Sequence, residues 1–174
     1  MQVNGYEIKP GADLSDAKLS GANLLCAKLR NANLRNADLR YANLCDVDLC
    51  YANLSGANLL GANLRYANLS GAKLLCAKLH SAHLSDANLF GANLFGANLF
   101  NAKLRSANLS GANLRNAILF NADLRNANLF NADLFNASLH SANLTGVDLR
   151  YTIIRCARLH TAKLGQRTLT PPNP

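Results

Sequence analysis

Leucine returns at every fifth residue for most of this chain, and that period constrains the fold more than any other feature. From Ala12 to Gln166 the sequence is 31 consecutive five-residue units. With the leucine taken as the centre of each unit, 30 of 31 centres are Leu, from Leu14 to Leu164; the exception is Ile154. Two residues before the centre, 28 of 31 are Ala, and the others are Val47, Val147 and Thr152. The residue just before the centre is Asn in 14 units, Asp in six and Lys in six. The last position is Gly in eight units and Asn in eight.

A period of five suits neither common element. On an α-helix five residues turn about 500°, so the leucines would spiral around the surface without forming a stripe. On a flat strand an odd period sends successive leucines to opposite faces. Asn and Gly at this density also oppose helix. Every Leu stays on one side only if the chain bends once per unit. Gly and Asn at the last position tolerate the left-handed backbone angles that such a corner uses. If each bend is close to a right angle, four units close a square coil of about 20 residues, and 31 units make nearly eight coils. At the strand-to-strand spacing of ~4.8 Å this is a rod of roughly 35 Å. The charges lean the same way. Asp38, Asp48 and Asp123 follow Lys18, Lys28 and Lys103 by 20 residues, three of the six Asp that precede a centre, whereas a 15-residue coil relates only two.

The tandem pattern A-(N/D)-L-x-x, as in ADLSD, ANLRN and ANLFG, resembles the pentapeptide-repeat family over residues 12–166, about nine tenths of the chain. The resemblance implies an all-β fold, a right-handed quadrilateral β-helix. Its interior would be filled by side chains such as Ala92, Leu94, Ala97, Leu99, Ala102 and Leu104, with the other three positions of each unit facing out. The expected organisation is an extended N-terminal cap over residues 1–11, the β-helix over 12–166 and a frayed tail over 167–174. Tyr151 to Arg155, YTIIR, breaks the pattern and is expected to loosen the last coil.

All six Phe directly follow a centre: Phe90, Phe95, Phe100, Phe120, Phe130 and Phe135. They should face outward and form a candidate partner surface. On a 20-residue coil one column reads Leu60, His80, Phe100, Phe120, His140, His160, and the column beside it holds Phe95, Arg115 and Phe135. The competing reading is that stacked like residues simply shield the sheet. Nine of the 11 Arg share the post-centre position. Arg65, Arg105 and Arg125 fall in one column and are candidate anion contacts.

Catalytic constellations are missing. Glu7 is the only Glu, and there is no phosphate-cradling Gly loop and no nucleophile set beside a base. His140 and His160 lack a third ligand, so no metal or other cofactor is expected. The filled interior offers no ligand cavity. No apolar run is long enough to span a membrane and the first residues do not read as a secretory leader, so a cytoplasmic protein with reduced Cys is expected. Cys26 and Cys45 fall diagonally in adjacent coils, within the ~4.4–6.8 Å Cα range of a disulfide, but their side chains are expected to diverge at the corner.

These features describe a non-enzymatic interaction scaffold with an unidentified protein partner, as a monomer or an end-to-end homodimer. Some members of the family mimic duplex DNA and bind DNA gyrase. That requires an acidic surface, and this chain has 18 basic residues against ten acidic ones, a net charge of +8. Direct binding of nucleic acid by the Arg is the other alternative. The chain looks most like the cyanobacterial members without an assigned activity.

Overall fold

The computed structural model describes residues 1–165. Its backbone pairing settles the number of sides. Asp13 bridges Asn33, Lys18 bridges Asp38, and every bridge through Ser138 with Arg158 is parallel and joins residues 20 apart. Each coil therefore has four sides of one unit each. The first side carries Leu94 and Leu114, the second Leu99 and Leu119, the third Leu104 and Leu124, and the fourth Leu89 and Leu109. Each corner is named here for the side that precedes it.

One unit explains the rest. In Ala97–Asn101, Asn98 N–H donates to Ala77 O at 2.9 Å, and Leu99 N–H donates to Ile118 O at 2.7 Å. Asn101 N–H donates to Phe120 O at 3.0 Å, and Ala102 N–H closes the turn onto Leu99 O at 3.0 Å. Only the Phe100 N–H is left without a backbone acceptor. Asn98 Oδ1 accepts it, at 3.0 Å. All 14 Asn and all six Asp at this position do the same for the residue two places on. The Asn/Asp preference is thus an answer to one orphan donor per unit. Asn98→Ala should cost about 0.5–1.5 kcal/mol, whereas Lys78→Ala, at a position with no such bond, should leave the thermal midpoint nearly unchanged. Equal midpoints for the two variants would refute this role.

The corners are turns of the type II sign pattern. The last residue of all 30 described units of this kind has positive φ, and the residue before it does not. Gly serves this need best. The coil nevertheless places Tyr41, Cys26 and Thr161 there, at φ of 56°, 56° and 58°. Glycine also makes room: the Tyr41 ring lies where a Cβ on Gly61 would project, 2.7 Å away.

Leu centres and their Ala neighbours form one continuous buried core from Ala12 to Val147, including Ala92, Leu94, Ala97, Leu99, Ala102 and Leu104. At one end the core is closed by a hairpin, β1 (Gln2–Val3) with β2 (Tyr6–Glu7). Asn4 and Gly5 turn it at φ 51° and 82°, a type I′ turn. Val3 and Tyr6 pack on the core and Ile8 is buried. The segment expected to be extended is therefore folded back, and Val3-Asn4-Gly5-Tyr6 carries the signal for it. At the other end β3 (Asn143–Leu144) pairs in parallel with β4 (Lys163–Leu164). The YTIIR segment does not loosen the coil. Ile153 bridges Asp133, and the Thr152 hydroxyl donates to Leu129 O at 2.7 Å, so the polar atom in an Ala position is satisfied. Leu149, Ile154 and Leu159 of the last coil are half-buried against the core. Residues 167–174 lie outside the described residues.

Candidate interaction surface

Post-centre side chains sit at the corners, and the 20-residue coil sorts them into four columns. The six Phe occupy three of these. Phe90 and Phe130 lie on the fourth corner, Phe95 and Phe135 on the first, and Phe100 and Phe120 on the second. The remaining corner, the third, has no Phe and carries Arg65, Arg105 and Arg125.

The second corner forms a continuous ladder of rings. His80 meets Phe100 edge-on at 4.8 Å. Phe100 and Phe120 stack at 5.3 Å, Phe120 and His140 also at 5.3 Å, and His140 meets His160 at 4.9 Å. Cross-coil stacking half-buries Phe100 and Phe120. Elsewhere, Arg115 lies 4.6 Å from the Phe135 ring centroid, and Phe130 meets Tyr151 at 5.3 Å. Phe90 is the most exposed of the six. Sequence reasoning did not single out Ile118. It stands exposed in the middle of the second side, between the Phe95–Arg115–Phe135 and Phe100–Phe120 corners. The signal was present, because Ile118 and Ile153 are the two apolar residues at a position that is polar in every other unit.

The Arg divide by their partners. Arg125 is not a free cation: its Nε and Nη2 donate to both oxygens of Asp123, at 2.8 and 2.6 Å. Arg40 grips Asp38 and Arg150 grips Asp148 in the same two-residue geometry. These guanidinium bonds hold Asp38, Asp123 and Asp148 below the usual carboxylate range, against the opposing effect of burial. Asp38 and Asp123 thus turn to the Arg of their own unit, while Lys18 and Lys103 of the preceding coil stand beside them in register without closing an ion pair. Arg65 bonds the Tyr66 hydroxyl at 3.1 Å. Arg105 has no ion-pair partner among the described residues. The Cys are all free thiols, and burial followed by the bond from Cys45 Sγ to Asp46 pushes the Cys45 pKa up. Among the described residues no cluster of His, Cys, Asp or Glu is arranged to hold a metal, and no helix is long and apolar enough to cross a membrane.

No curated protein matches the sequence. Among solved structures, Rfr23, a pentapeptide repeat protein from the cyanobacterium Cyanothece 51142, is 39% identical over 54% of this chain with a TM-score of 0.53. This chain spans 64% of the length of Rfr23. Full-length QnrB1, a plasmid-mediated fluoroquinolone resistance protein, is 24% identical and aligns over 90% of this chain and 81% of its own, with a TM-score of 0.77. HetL, a pentapeptide repeat protein involved in heterocyst differentiation regulation from the cyanobacterium Nostoc sp. strain PCC 7120, is 28% identical over 94% of this chain and 93% of its own, with a TM-score of 0.39. The model of pentapeptide repeats matches in eight copies, over residues 12–49, 46–74, 97–134 and 127–166. With the five-residue period, the parallel pairing at 20 residues and these matches in agreement, the chain belongs to the pentapeptide-repeat family.

Proposed function

We propose that this right-handed quadrilateral coil is a non-catalytic scaffold that presents its aromatic corners to a protein partner. One observation carries the reading. On the second side the uncharged column Asn98, Ile118, Ser138 runs between two corners that bear Phe95, Phe135, Phe100 and Phe120. An exposed apolar residue framed by aromatic rings and free of net charge is the composition of an interface centre. Arg115, between Phe95 and Phe135, is offset by Asp133 at 3.2 Å, and Lys78, Arg155 and Arg158 flank the uncharged stretch at its two ends. The likeness to QnrB1 supports the fold alone, and a net charge of +8 opposes mimicry of duplex DNA, so gyrase is not the partner proposed.

The test is retention of cell-extract proteins on the immobilised chain, beside a variant with all six Phe changed to Ser. Their outward positions leave the core intact, which far-UV circular dichroism checks. A protein held by the native chain and retained at least tenfold less by the variant is the expected result. Identical retention by two equally folded chains would reduce the Phe to sheet-shielding ladders and sink the proposal.

A further inference from the structure

We infer that the third corner holds a binding site for one phosphoryl group, between Arg65 and Arg105. The site is set apart from the aromatic surface and does not depend on it. Its origin lies in the repeat. In that column the post-centre residues of three successive coils are Arg65, Ser85 and Arg105. Two long cations flank a short hydroxyl residue, and the missing side-chain length opens a surface notch of about 430 Å³ lined by Arg65, His83, Ser85, Asp86, Arg105 and Ser106. Two coils separate the guanidinium-bearing residues, about 9–10 Å at strand spacing. A tetrahedral oxyanion placed between them can receive a fork of N–H donors from either side. The Ser85 and Ser106 hydroxyls add neutral donors.

Three further features shape the selectivity. Arg105 is without an ion-pair partner among the described residues, so binding need not break a salt bridge. Burial lowers the His83 pKa, and the positive charges of Lys103 and Arg65 beside it lower it further. The field of these charges is short. Arg125 in the next coil is neutralised by Asp123, and Cys45 and Thr145 occupy other coils of the same column. Asp86 places a carboxylate on the notch itself. Free positive charge extends over too few coils to track a nucleic-acid backbone, which needs several phosphate contacts in a row. It suits a single phosphate monoester, either a free one or one carried on a side chain.

Inorganic phosphate, O-phosphoserine and a short DNA duplex would be titrated separately into the full chain, followed by the NMR signals of the His83 imidazole and Ser85 amide. Saturable phosphate binding is expected, weakened at least tenfold by Arg65→Gln or Arg105→Gln and unchanged by Arg40→Gln on another corner. Asp86→Asn should tighten it several-fold, a gain that misfolding cannot produce. By linkage, bound phosphate should raise the His83 pKa. Tighter binding of phosphoserine than of phosphate assigns the group to a phosphorylated side chain; equal affinity assigns it to a free phosphate. The inference is overturned if all variants bind phosphate equally, or if duplex DNA binds best with shifts spread over all four corners.

Discussion

Leu99→Asp should unfold the middle of the rod. Leu99 is 1% exposed, near the midpoint of the stack, and its backbone is tied to the coils on both sides. Removing a buried Leu side chain costs about 2–5 kcal/mol. An isolated carboxylate in the same dry interior adds several kcal/mol more, by desolvation or by forced protonation. The sum rivals the whole stability of an ordinary domain, ~5–15 kcal/mol. The coil is a one-dimensional stack, so the damage should be greatest in the neighbouring coils. Amide exchange should accelerate first between residues roughly one coil before and one coil after the substitution, and the thermal midpoint should fall steeply. A melt that matches the parent chain would mean that Leu99 does not face the interior.

Ala97→Leu gives the second large effect, from the opposite cause. Ala97 is fully buried and shares its side of the coil with Leu99. The closed ring of four units fixes how much volume the interior can hold. Overpacking usually costs about 1–3 kcal/mol, and the upper end is expected here because all four walls are tied by backbone hydrogen bonds. Ala97→Val should be much milder, since Val47 and Val147 fill the equivalent place and remain buried. Urea denaturation should give the order parent, Val, Leu in falling midpoint, with similar slopes. A Leu variant as stable as the Val variant would show an interior with spare room.

What could be read from residues follows the physics of the repeat. The shared side of the Leu was legible because a five-residue period keeps them together only if the chain bends once per unit, and the burial of Ala92 beside Leu94 was legible from the family resemblance. The Phe and His columns were legible once the coil length was chosen, since a column is only arithmetic. The role of Asn98 was not, because it depends on knowing that four of five N–H groups in a unit find backbone acceptors and that the Phe100 donor does not. Arg125 shows a different gap. Its column was predictable, but its charge is consumed by Asp123 two residues earlier, a contact made possible by the turn between them. The hairpin turned by Asn4 and Gly5 was written plainly in its dipeptide.

Parallel pairing at 20 residues also gives each outward residue an address. Its corner is fixed by how many units precede it, and all corners are built alike. Duplicating or losing four units returns every later side chain to its original column. Losing one unit leaves an equally good stack of Leu and Ala, yet turns everything beyond it by a quarter of a revolution. A unit lost between His80 and Phe100 would split the ladder of rings and turn Arg65 and Arg105 to different corners. The core tolerates such a shift and the surface does not, so the pattern on the corners can be rewritten by counting alone.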